Sequence, residues 1–177
     1  MKSATKPSAL RKRRSSGNVM VESVFTLLPT FALILAFVDF SLMLFRESTL
    51  ENAVREGCRY AVTFQTATGL GQDASIEAVV QQFAMNFVTT SDSPQHIFVN
   101  YYAPTNLNTA ISAPGGNIPG NVVEVSVQNI SYSWLAPLSG SYGMGVPFFR
   151  NNTPLSIAVY SSDILGGYPV GVNSVTR

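Results

Sequence analysis

The sequence predicts an α+β protein organised on one N-terminal helix. That helix crosses a membrane once and continues outward as a long amphipathic helix. A small domain follows, with a second helix and an antiparallel sheet of about three strands. Three observations carry this. From Ser23 to Phe45 there are 23 residues with a single charge, Asp39; as a helix that run is about 34 Å long, enough for a hydrocarbon core of roughly 30 Å. From Arg46 onward the apolar positions fall at helical spacing. After Pro94 the pattern changes to β-branched and aromatic stretches separated by Pro, Gly and Asn.

A length of 177 residues holds such a helix and one modest domain of about 110 residues. The net charge is +1, but it is unevenly spread: Lys2, Lys6, Arg11, Lys12, Arg13 and Arg14 put six of the eleven bases into the first 17 residues, which contain no acid. Bases at that position resist translocation and hold their end of the helix in the cytoplasm. They are no argument for nucleic acid, because the rest of the chain has five bases against ten acids. The expected divisions are a basic leader at 1–17, a transmembrane helix at 18–45 and an extracytoplasmic domain at 46–177. A cleaved secretory signal fits poorly, since its apolar core should be about 7–15 residues and end in a small-x-small site; here the run ends in Met43-Leu44-Phe45-Arg46.

Past Arg46, Leu50, Val54, Gly57, Cys58 and Ala61 share one face, and Glu51 with Arg55 forms a favourable i,i+4 pair. The helix is therefore expected to run unbroken from 18 to 64, about 70 Å. Pro29 lacks an N–H and frees the Phe25 carbonyl, so a kink is expected there, with Thr26 as a local donor. Residues 66–72 read as a connector. Asp73 reads as the N-cap of the second helix, whose apolar face is Ile76, Val79, Val80, Phe83, Phe87 and Val88 and which ends near Thr89. His96–Ala103 reads as a strand and Thr105–Asn121 as a loop. Val123, Val125 and Val127 alternate with polar residues and, after a break, Ile130 follows; Pro154–Ser161 reads as a third strand. The expected core is Val80, Phe83, Phe87, Val123, Val125 and Val127. The Gly-, Pro- and Val-rich tail carries no assignment.

The front edge of the apolar run reads R-K-R-R-S-S-G-N-V-M-V-E, with Glu22 at the fifth position after Gly17. A basic leader, a glycine and a glutamate so spaced, leading into a membrane helix, resemble the cleavage site of type IV prepilins. V-E-S-V-F-T-L-L-P at 21–29, V-D-F at 38–40 and L-E-N-A-V-R-E-G-C-R-Y-A at 50–61 narrow the likeness to the TadE-like family, the pilin-like proteins of the tight-adherence (Flp) pilus. That resemblance is specific over 17–64. Beyond it, V-E-V-S-V-Q-N-I-S-Y-S-W-L-A-P-L at 123–138 is similar to the family's strand and turn.

The resemblance implies cleavage after Gly17 by a prepilin peptidase, with Asn18 as the new N-terminus. It also implies that Glu22 is the acid near the start of the mature helix. The implied partners are that peptidase, inner-membrane pilus platform proteins, TadF-like or Flp pilin partners, and membrane lipid. No cofactor or metal is implied. Two departures stand out: Asn18 where a small or apolar residue is commoner, and Ser23 where an aromatic is commoner.

The candidate site residues each have a plainer alternative. A carboxylate inside a membrane helix costs roughly 2.5–3.5 kcal/mol at the bilayer centre, so such residues tend to have a role. Glu22 stands four residues from the Asn18 ammonium that cleavage would create, on the same helix face; without cleavage it is a hydrated interfacial acid. Asp39 lies two turns from Arg46, too far for a direct pair without water, so either a partner helix supplies its donor or it is a hydrated or protonated acid near the outer interface. Cys58, the single cysteine, is a small buried hydrophobe or the site of an intermolecular disulfide. His96, the single histidine, is structural. No nucleophile-elbow, zincin, P-loop or paired-carboxylate pattern is present, so the chain is not expected to be an enzyme. The alternative to pilus assembly is a membrane-anchored periplasmic binding module, with the helix acting only as a tether.

Overall fold

The computed structural model describes residues 16–132 and 155–177, with side chains from Val19 onward. Residues 1–15 of the leader lie outside the described residues, as do the turn residues at 135–138. Helix α1 (Ser16–Val62) runs unbroken for 47 residues and passes through Pro29. Helix α2 (Gln72–Phe83) follows a short connector. Strands β1 (Ile97–Ala103), β2 (Asn106–Ala110), β3 (Val122–Tyr132) and β4 (Leu155–Ile164) form one antiparallel sheet in the order β2-β1-β3-β4. The fold is the expected α+β, with four strands instead of about three. The additional strand, β2, lies inside the stretch expected to be a loop. It is fully exposed and pairs with β1 across the Pro104-Thr105 turn.

One face of the sheet packs on the outer half of α1 and on α2. Leu50, Ala53, Val54, Cys58 and Ala61 of α1 meet Ile76 and Val80 of α2 and Ile97, Val99, Tyr101, Val123, Val125 and Val127 of the sheet. The three layers converge at Gly57. A Cβ there would stand 2.5 Å from Val80 Cγ2 and 3.4 Å from Val125 Cγ1, so only a residue without one lets the helices close.

The break after Val127 is a bulge. Val127 faces Val159 and Ile130 faces Ile157, so β3 spends three steps where β4 spends two, with Asn129 in the left-handed region at φ 62°. The extra residue restores parity: Ile130 and Tyr132 point to the core face, as the three valines do. Without it Tyr132 would face away from α1.

Two expectations for α2 need correction. Its N-cap is Gly71, not Asp73, which lies in the first turn. There the Asp73 carboxylate accepts from Arg177 Nε at 2.7 Å and from the Tyr101 hydroxyl at 2.8 Å. Phe83 is 41% exposed, not a core residue. The buried line runs along i,i+4 from Ile76 through Val80 to Ala84 at the C-cap, so the small Ala84 fills the slot and Phe83 falls on the flank. Phe87 packs only partly against the core.

Candidate functional site: the long helix and its outer junction

From Val19 to Val38 α1 touches little of its own chain, and most of its side chains are exposed. Its hydroxyls turn back onto the backbone four residues earlier: Ser23 donates to Val19, Thr26 to Glu22, Thr30 to Thr26 and Ser41 to Phe37, at 2.7–3.0 Å. A helix in lipid needs this, because no water is present to take a free hydroxyl. Thr26 therefore serves Glu22 and not the Phe25 carbonyl that Pro29 frees. The Glu22 side chain is exposed, at the front of the helix. Gly17 and Asn18 lie in the first turn, where side chains are not among those described.

Asp39 differs from every other residue in this run. It is 2% exposed, and its cover is the protein's own β3: the Tyr132 hydroxyl stands 3.2 Å from Asp39 Oδ1 and 3.1 Å from its backbone oxygen. The donor expected from a partner helix is thus supplied from within the chain, 93 residues away. Burial and the neighbouring Asp39 carboxylate push the Tyr132 phenol up, against a smaller opposing pull from Arg46. The hydroxyl stays protonated and remains a donor. The domain's cover consequently starts at Asp39, seven residues before the expected boundary at Arg46.

Arg46 lies on the same side. Its guanidinium stands 5.4 Å from the centre of the Phe87 ring and donates to the Phe87 carbonyl at 3.4 Å. Phe45, one residue earlier, meets the same ring edge-on at 6.2 Å. The Glu51–Arg55 pair forms at 3.5 Å but is exposed, so it contributes only tenths of a kcal/mol. Cys58 is 2% exposed, with Sγ 3.5 Å from the Ser161 carbonyl. Burial raises its thiol above the ordinary range. An intermolecular disulfide therefore has no access to Cys58 in the folded chain. His96 Nδ1 lies 3.0 Å from the Gln128 carbonyl oxygen, in a strand-edge contact. Among the described residues, no three His, Cys, Asp or Glu side chains gather to hold a metal.

Sequence reasoning missed two residues. Tyr132 was visible only as an aromatic in phase with Ile130 after the strand break. Arg177, at the end of the unassigned tail, binds Asp73, stands 4.7 Å over the Tyr101 ring and donates to the carbonyls of Ile111 and Gly115.

An apolar N-terminal helix of this length, bare over its first half and capped by a small α+β domain over its second, fits a single-pass membrane anchor. Residues 17–59 of that helix match the family model described as TadE-like protein. The match suggests a protein associated with tight-adherence pili. It ends three residues before α1 does and includes neither α2 nor the sheet. No curated protein and no solved structure matches the chain.

Proposed function

We propose that this chain is a pilin-like protein of the bacterial inner membrane that takes part in assembling a tight-adherence pilus, or enters it as a minor subunit. Its N-terminus lies in the cytoplasm and its domain outside. A prepilin peptidase removes the leader after Gly17, and the chain is that enzyme's substrate and not itself an enzyme. The observation that carries this reading is the coincidence of the TadE-like match, which begins at Gly17, with one continuous helix whose side chains from Val19 to Val38 are mostly exposed. The Glu22 carboxylate stands where it pairs with the Asn18 ammonium, about 6 Å along the helix, or with that of a neighbouring subunit.

Two variants test it. Gly17→Val leaves the apolar helix intact and should leave the leader attached, because the peptidase needs close approach to a backbone without a Cβ. Glu22→Ala should be processed normally yet fail to support pili. N-terminal sequencing of membrane-extracted protein and a count of surface pili read both. Wild-type protein that retains its leader would overturn the processing step.

The tether reading has one observation in its favour. Among the described residues, no helix packs on the outer sheet face, which carries Phe98, Tyr102 and Tyr160, with Tyr160 57% exposed and the Tyr102 hydroxyl 3.3 Å from Glu124. Replacing 19–38 by an unrelated apolar span separates the readings: a tether keeps its activity, a pilin-like helix loses it.

A further inference from the structure

We infer that the turn after α2, built from Phe83, Met85 and Phe87, is a second membrane contact that rests in the headgroup layer of the bilayer α1 crosses. This relies on the membrane span proposed above. Helix α2 descends antiparallel to α1: Gln72 bonds the Ala61 carbonyl, Val80 packs at Gly57, and Phe87 meets Phe45 and Arg46. The turn therefore lies at the membrane-facing end of the domain. Its composition is unusual for a water-exposed tip, since no charged residue occurs from Ala78 to Ser91. Phe83 is 41% and Met85 65% exposed. Met85 and Asn86 both hold left-handed backbone, φ 51° and 61°, a conformation rare for methionine, which ends the helix and leaves Met85 outside the core.

The height of this tip comes from α1. Exposed apolar side chains continue through Phe40, Leu42, Leu44 and Phe45 and give way to Arg46 and Glu47. A lipid edge at Phe45 puts the Phe45–Phe87 ring pair in the interfacial layer, where aromatic rings concentrate. The Arg46 guanidinium over Phe87 then sits where a cation reaches headgroups while its stem lies on apolar surface. Tyr132 reaches Asp39, about 9 Å further toward the bilayer, so the sheet end of the domain reaches deeper along α1 than the tip does. Phe83 and Met85 extend the apolar surface of α1 sideways, and the ligand their chemistry fits is the boundary between acyl chains and headgroups.

The test uses the full chain in phosphatidylethanolamine–phosphatidylglycerol vesicles. In a Cys58→Ser background, a nitroxide is attached to a single cysteine at Phe31, Met85 or Thr68. Phe31 reports the span, and Thr68 lies beyond the far end of α1. Collision with oxygen and with a water-soluble nickel chelate is measured at each. The label at 85 should show a gain in oxygen collisions and a loss of nickel collisions relative to 68, in the direction of 31. Adding Phe83→Glu should return it toward the values at 68. Equal values at 85 and 68, with 31 shielded from nickel, would place the tip in water and overturn the inference while leaving the span intact. Nickel access at 31 would remove the span and the inference together. Shielding of 85 from both reagents with spin–spin broadening would assign the tip to a second copy of the chain, and would overturn the lipid assignment.

Discussion

The two halves of α1 have the same backbone and opposite surroundings. Between Val19 and Val38 the helix carries one charge, Glu22, and none of its side chains is fully buried. Between Arg46 and Val62 the apolar residues retreat to one stripe, and Leu50, Ala53, Val54, Cys58 and Ala61 on it are almost wholly buried. The difference teaches what each half requires. A helix that is hydrophobic all round and uncovered by its own chain needs an apolar solvent or other helices. A striped helix needs a domain, and here it gets one from the sheet and α2. The junction is Asp39, where the first domain residue reaches the helix.

The sharpest way to break this comparison is to remove the same side chain from both halves. Leu50→Ala empties a fully buried position and should cost about 2–5 kcal/mol of domain stability. Leu33→Ala, at a position 57% exposed, should change domain stability by no more than about 0.5 kcal/mol. Denaturant unfolding of the full chain in lipid nanodiscs, followed by circular dichroism, measures both. Equal losses would mean that the halves are not distinct. A smaller effect is expected at the junction. Tyr132→Phe removes the hydroxyl that donates to Asp39 while keeping the ring, and should cost about 0.5–1.5 kcal/mol. The same variant combined with Asp39→Ala should lose less than the sum of the two single changes, since the residues share one interaction.

That contrast also explains what was legible in the sequence. Periodicity is local, so both halves of α1, the α2 stripe and the alternation of β3 could be read from neighbouring residues. So could the break after Val127, though not its consequence. β2 could not be read. Asn-Leu-Asn-Thr-Ala lacks the alternation of a half-buried strand, and only pairing with β1 makes it one. The docking of the tail was equally hidden, because Arg177 meets its partner Asp73 across 104 residues. Asp39 illustrates the limit at the candidate site. Its isolation in an apolar run marked it as unusual, but the donor comes from the far end of a strand whose phase depends on a bulge. Phe83 failed for a different reason: a wide apolar stripe was assumed where a straight i,i+4 line through Ala84 sufficed. Glu22 and Gly17 were legible through motif spacing alone, since nothing among the described residues covers the exposed Glu22 side chain.

The smallest expected effect sharpens the comparison on the covered half and appears only in alkali. Cys58 is neutral when protonated, and burial raises its pKa above the ordinary value of 9.0. The folded state therefore holds the thiol proton more tightly than the unfolded state does. By linkage, its contribution to stability is fully present below pH 9 and is lost as pH rises through the higher folded value. Tyr101 and Tyr132 are also raised by burial, but from an ordinary value of 10.0, so their losses develop fully about one pH unit later. Between pH 9 and 10 the tyrosines, Tyr102 included, add to the decline, so Cys58 is read as a difference between two slopes. Unfolding free energy measured at half-unit steps across that window should fall more steeply for the wild-type chain than for Cys58→Ser, whose hydroxyl does not titrate there. The absolute stability of the variant does not enter, because the slope is the quantity compared. An identical slope in both proteins would mean that the thiol is hydrated, and that the stripe of α1 is less tightly covered at Cys58 than its 2% exposure indicates.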